Sequence, residues 1–192
     1  MPLKLIARDA GFQSAFDRFV NARREPASDV AGTVAQVLAD IRARGDAALL
    51  DYTGQFDRLE APNVAALRVD AVEVDAAIAE VPSPTRDALD LAATRIEAFH
   101  RRQIPQDQRW TDEAGLSLGW RWTALSAVGL YVPGGTAAYP SSVLMNAIPA
   151  KVAGVDRVAM VVPAPDGKLN PLVLAAARRA GITEIWRIGG AQ

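Results

Sequence analysis

Cysteine is absent from these 192 residues and histidine occurs once, at His100. A disulfide framework is therefore excluded, and no metal site is expected within this chain, because zinc centres draw mainly on sulfur and imidazole ligands. Charge of one sign is missing as well, with 21 Lys plus Arg against 22 Asp plus Glu. No overall field draws the chain toward nucleic acid, and Arg101-Arg102 and Arg178-Arg179 read as solvated helix faces rather than basic patches. Long hydrophobic runs are missing too. No stretch reaches the ~18 to 20 apolar residues of a membrane span, and MPLKLIARDAGFQ lacks the apolar core of a signal peptide. A cytoplasmic chain that engages neither nucleic acid nor membrane is expected.

Half of the residues are hydrophobic, enough to bury a sizeable core in one large or two small domains. Phe12, Phe16, Phe19 and Val20 recur at helical spacing, and Val30, Val34, Val37, Leu38 and Ile41 mark a second helix. Glu25-Pro26 punctuates the two, Ser28 or Asp29 can cap the second, and Gly45 ends it. Asp46 caps a third helix that runs toward Tyr52 and Phe56. Leu67-Arg68-Val69 is β-like, and Asp70 or Asp75 starts the next helix. The longest helical pattern is Thr85 to Gln103, with Pro105 stopping it. From Trp110 to Leu125, the alternation of Leu116, Leu118, Trp120 and Trp122 around Asp112-Glu113-Ala114-Gly115 predicts a β-hairpin. Trp110, Trp120 and Trp122 form its apolar face. Without a basic groove, packing of that face on the long helix is favoured over base stacking.

The organising stretch is Ala127 to Gly154, read as strand, glycine turn and helix. Val128, Leu130 and Val132 make the strand, Pro133-Gly134-Gly135 breaks it, and a helix starts near Ser141. Glycines and a helix start at one corner suit a bound phosphate or planar ring, although the same residues also suit an ordinary tight turn. Pro149 should kink or break this helix near Asn146. A second strand, Arg157 to Val162, is followed by a turn at residues 163–167. Asn170 and Pro171 then start a helix that Gly181 ends, and Ile182 to Ile188 is a third strand.

The order β-α-β-α-β with continuous apolar strands implies a parallel sheet covered on both faces, with right-handed crossovers. The fold class expected is therefore α/β, a helical N-terminal region over residues 1–124, with its hairpin near 108–124, and an incomplete Rossmann-like unit over 125–192. Ligands of such sheets bind outside the carboxyl ends of the strands, so Tyr131 to Gly135, Pro163 to Gly167 and Gly189 to Gln192 should share one rim. Gln192 directly follows a strand and its glycine corner, where a βα unit continues into a helix, so a longer protein is expected.

At VGLYVPGGTAAYPSSVLMNAIPAKVAGV the chain resembles the histidinol dehydrogenase family, and IRARGDAALLDYTGQFD, IEAFHRRQ and the terminal IGGAQ agree with it. The resemblance extends over nearly all of the chain and over somewhat less than half of a family member. It implies oxidation of a small-molecule amino alcohol, L-histidinol, through the aldehyde to L-histidine, with NAD and zinc as cofactors and a homodimeric whole protein. Relatives oxidise other small alcohols, such as a sulfonated diol, and a non-catalytic nucleotide-binding or interaction module would keep the same fold.

The family's NAD-contacting tyrosine and glutamine fall on Tyr131 and Gln192. Its zinc ligands and Glu-His acid/base pair fall beyond this terminus, so no catalytic residue is assigned here and the chain alone is expected to be inactive. His100 matches no role. Asp46, Asp51 and Asp57 read as caps and solvated faces.

Overall fold

The structure is a computed structural model that describes residues 4–21, 25–133 and 139–191. Met1–Ala48 and Leu49–Gln192 form separate compact units. In the first, α1 (Phe12–Asn21) carries the expected aromatic face, with Phe12 and Phe16 stacked at 5.5 Å. The helix α2 (Glu25–Arg44) includes Ser28 and Asp29, so neither stands as its cap. Pro26 falls within the range of α2, and residues 22–24 between α1 and α2 lie outside those described. The helix α3 (Asp46–Asp57) begins in the first unit and continues in the second.

The second unit holds the sheet. A 3-10 turn at Val64–Leu67, capped by Asn63, leads to an antiparallel bridge between Arg68 and Trp186. Asp70 rather than Asp75 caps α4 (Ala71–Glu80), accepting from the Glu73 N–H at 2.7 Å. The long helix α5 (Ser83–Arg101) begins with Pro84 in its first turn. The hairpin is β1 (Gln108–Thr111) paired antiparallel with β2 (Ser117–Trp120). Its apolar face does not pack on α5 as expected. Trp110, Leu118 and Trp120 are exposed, and the two rings instead meet edge to face at 5.3 Å. The hairpin is a two-stranded sheet of its own with every strand residue exposed, so the two indoles cover each other only in part.

The expected β-α-β-α-β unit is present: β3 (Ala127–Tyr131), α6 (Pro140–Val152), β4 (Arg157–Val162), α7 (Pro171–Arg179) and β5 (Glu184–Arg187), with parallel pairing in the order β3-β4-β5. Asn170 accepts from the Leu172 N–H at 2.9 Å as the N-cap of α7, and Gly181 follows that helix at φ +73°. Pro149 does not break α6, which is continuous through it to Val152. The proline lies in the last turn, so few backbone bonds are lost beyond it, and buried Leu144, Ala147 and Ile148 hold the preceding turns in place.

The core lies between one sheet face and the helices. Val158, Met160, Val162 and Ile185 meet Leu144 and Leu174 of α6 and α7, while α5 packs on α6 and α4 on α7. Among the described residues the opposite sheet face stays partly open, contrary to the expectation of two covered faces. Gly129 and Tyr131 are exposed there and Ala159 and Val161 half-buried. Consecutive strands added in one direction place both crossover helices on the same side, so an apolar run can lie in a sheet with only one helical layer. Arg178 and Arg179 are not purely solvated; they pair with Asp75 at 2.7 Å and Asp90 at 2.6 Å, tying α7 to α4 and α5.

Arg157 of β4 grips Glu184 of β5 with two bonds of 2.8 Å, and Trp186 Nε1 donates to the same carboxylate at 3.1 Å. Those donors, Arg157 first, hold the Glu184 carboxyl at about 2 instead of 4.5. A depressed folded value means that the unfolded chain takes up the proton first as pH falls. Glu184 therefore contributes stability above 4.5 that is lost on acidification toward about 2. In urea titrations at a series of pH values, Glu184→Gln should lie below the parent above that window and converge with it at its acid end. Parallel curves would remove this pair as a source of acid sensitivity.

Candidate functional site

The carboxyl ends of the three parallel strands lie side by side. Tyr131 pairs with Val161, the Val132 N–H donates to the Val161 carbonyl at 3.0 Å, and the Ile188 N–H donates to the Val162 carbonyl at 3.1 Å. The strand ends at Val132, Val162 and Ile188 therefore form one rim, as expected for a parallel sheet. Tyr131 stands at its open side, 48% exposed on the face that is partly open among the described residues. Gly134 and Gly135, the glycines of the first corner, lie outside the described residues, as does Gln192.

The other glycine corner departs from the expected ligand cradle. A Cβ on Gly189 would come within 2.5 Å of Asp57 Oδ2 and 2.6 Å of Oδ1, and one on Gly190 would overlap Cδ2 of Phe56. The space beside these glycines is filled by the end of α3. Asp57 is 4% exposed and accepts from the Ala164 N–H at 2.8 Å, so it is neither a cap nor a solvated face. This correction follows from the tertiary fold, because the buried N–H of a strand-end loop needs an acceptor and α3 delivers one.

Next in sequence, Arg58 grips Asp166 with bonds of 2.7 and 2.9 Å, and the Leu59 side chain lies against Gly167. The guanidinium holds the Asp166 carboxyl below its ordinary range. Arg58 at φ +52° and Asp166 at φ +56° are the two non-glycine residues with left-handed backbone among those described. Four consecutive residues, Phe56 to Leu59, thus engage the β4 and β5 corners. Sequence reasoning missed them. The available signal was the glycine pair itself, since adjacent glycines also mark a place where other side chains come close.

His100 lies elsewhere, at the C-terminal end of α5 with Phe99 edge to face at 5.2 Å. With Ile104, Asp107, Trp122 and Pro149 it lines a cleft of about 420 Å³ that includes no residue of the rim. Among the described residues no group of three or more His, Cys, Asp or Glu is placed to hold a metal ion. No helix among them is long and apolar enough to cross a membrane.

Fold and rim together define a Rossmann-like α/β protein with its candidate ligand edge at the strand ends. The histidinol dehydrogenase family model matches residues 20–192. Histidinol dehydrogenase of Rhodopseudomonas palustris is 60% identical over all 192 residues, and that of Bradyrhizobium diazoefficiens 58% identical over the same span. A crystal structure of histidinol dehydrogenase from Elizabethkingia anophelis superposes with a TM-score of 0.78 at 34% identity, covering 85% of this chain and 37% of that one. The chain belongs to the histidinol dehydrogenase family, a family of oxidoreductases, and corresponds to an N-terminal part of its members. It spans 44% of the length of the Rhodopseudomonas and Bradyrhizobium relatives.

Proposed function

We propose that this chain is the cofactor-side part of an NAD-dependent histidinol dehydrogenase, which oxidises L-histidinol through the aldehyde to L-histidine. The observation that carries this reading is Tyr131, half-exposed at the carboxyl end of an edge strand, beside two further strand ends that the fold brings to the same rim. A tyrosine there can pack its ring on a nucleotide and orient a polar group with its hydroxyl, and Gln192 adds an amide that donates and accepts. Residues 125–192 are read as the NAD-binding unit. NAD supplies the hydride acceptor when bound.

The described residues do not fit a zinc centre, with one histidine, no cysteine and no metal-ligating cluster. No step of the reaction is therefore routed through zinc here, and in this reading the whole enzyme's zinc ligands and its acid/base pair stand outside these residues. The same reading makes the whole enzyme a cytoplasmic homodimer.

Half of a cofactor cleft gives few contacts, so NAD affinity of the chain itself is expected on the order of 1 mM, or about −4 kcal/mol. Titrated NAD should shift the Tyr131 amide signal in NMR, and Tyr131→Ala should abolish the response elsewhere on the rim. Shifts confined to residues away from Tyr131 would move the site. With histidinol, NAD and zinc added, the 192-residue chain should form no NADH; turnover would place the reacting groups within it.

A further inference from the structure

We propose that Asp57 is a positioning residue for the ligand rim, and that residues Phe56 to Leu59 act as a clasp setting the spacing of the β4 and β5 corners on which a ligand at Tyr131 rests. The inference builds on the reading of Tyr131 as an NAD contact. One short segment of the chain makes contacts with both corners. Asp57 holds the Ala164 N–H at 2.8 Å while its carboxylate takes the place of a side chain at Gly189, so a single buried group spans both corners.

Backbone conformation supports the same assignment. A left-handed backbone is unfavourable for arginine and less so for aspartate, and such conformations persist where the surroundings over-determine them. Here Arg58 is held between Asp57 and Leu59, both anchored on the rim, and its own partner is the left-handed Asp166. An exposed ion pair contributes little to overall stability, so a bidentate Arg58–Asp166 pair serves to fix loop geometry. From the Ala164 corner the backbone leads back through Val162 and Val161 to the partners of Ile188 and Val132, one residue beyond Tyr131. Displacing the carboxylate therefore changes the height of the rim relative to the tyrosine without removing any group that touches the ligand.

The test compares the 192-residue chain with Asp57→Asn and Asp57→Ala, following amide NMR signals, NAD titration and urea unfolding. Asparagine keeps an oxygen for the Ala164 N–H. Asp57→Asn should therefore hold NAD affinity within about threefold, while Asp57→Ala, which leaves that N–H unpaired, should weaken it about tenfold or more. In ligand-free spectra Asp57→Ala should shift the Ala164, Gly189 and Tyr131 amides while signals from α7 stay in place.

If Asp57→Ala does not fold, Gly189→Ala replaces it, because the added Cβ displaces the carboxylate while retaining the charge. If the parent chain fails to bind NAD, the reading of Tyr131 falls, and the ligand-free shifts still decide the clasp. An unmoved Tyr131 amide in the folded variant, or NAD affinity that is unchanged by Asp57→Ala, would overturn the positioning role. So would equal losses in the Asn and Ala variants.

Discussion

Gly190→Ala should destabilise the chain by about 2 to 3 kcal/mol, with Gly181→Ala costing only about 1 kcal/mol. Both glycines have positive φ, +84° at Gly190 and +73° at Gly181, so each alanine carries a backbone penalty. Only one meets an obstacle. Nothing lies within 4 Å of a Cβ at Gly181, whereas at Gly190 the Cβ overlaps Phe56 Cδ2 and comes within 3.0 Å of Cγ and Cε2. These atoms belong to the body of the ring, so the ring must turn or α3 must retreat. Turning breaks the stack with Tyr52, whose ring lies 5.7 Å away and nearly parallel at 8°. Urea midpoints of the two variants separate the contributions, since both share the conformational term and only Gly190 adds the clash. Equal losses would mean that α3 yields without resistance and is no clasp.

That contrast also shows what the sequence could reveal. The parallel unit was legible because its signals are local: VAMVV reads as a strand, Asn170-Pro171 as a helix start and Gly181 as its end. The rim followed from topology, since strands in one sheet running one way put their carboxyl ends together. Asp57 was not legible. Its partner, the Ala164 N–H, is more than a hundred residues away, and an aspartate at the end of a helix reads the same whether it faces water or a buried amide. Gly189-Gly190 was visible but ambiguous, because open space for a ligand and space filled by Phe56 and Asp57 both require a missing Cβ. The tryptophan hairpin misled for the opposite reason: strict alternation predicts a pleated face, and nothing in alternation specifies what covers it.

Met160→Ala should remove about 3 kcal/mol, a large share of the 5 to 15 kcal/mol typical of folded domains. Met160 is fully buried at the middle of the central strand, paired in register with Leu130 on one side and Ile185 on the other. Its side chain belongs to the cluster that joins the sheet to Leu144 and Leu174, so truncation leaves a cavity bounded by the sheet and two helices. Met160→Leu, nearly volume-conserving, should cost less than about 1.5 kcal/mol, which separates the loss of volume from the loss of the thioether. Amide hydrogen exchange extends the measurement to the rim. The N–H groups of Val132 and Ile188 bond the carbonyls of Val161 and Val162, directly above Met160 on the same strand. If these amides open only with the whole unit, their protection should fall by the full stability loss in Met160→Ala. Protection that stays constant would mean that the rim opens locally, held by Asp57 and its neighbours instead of by the core beneath it.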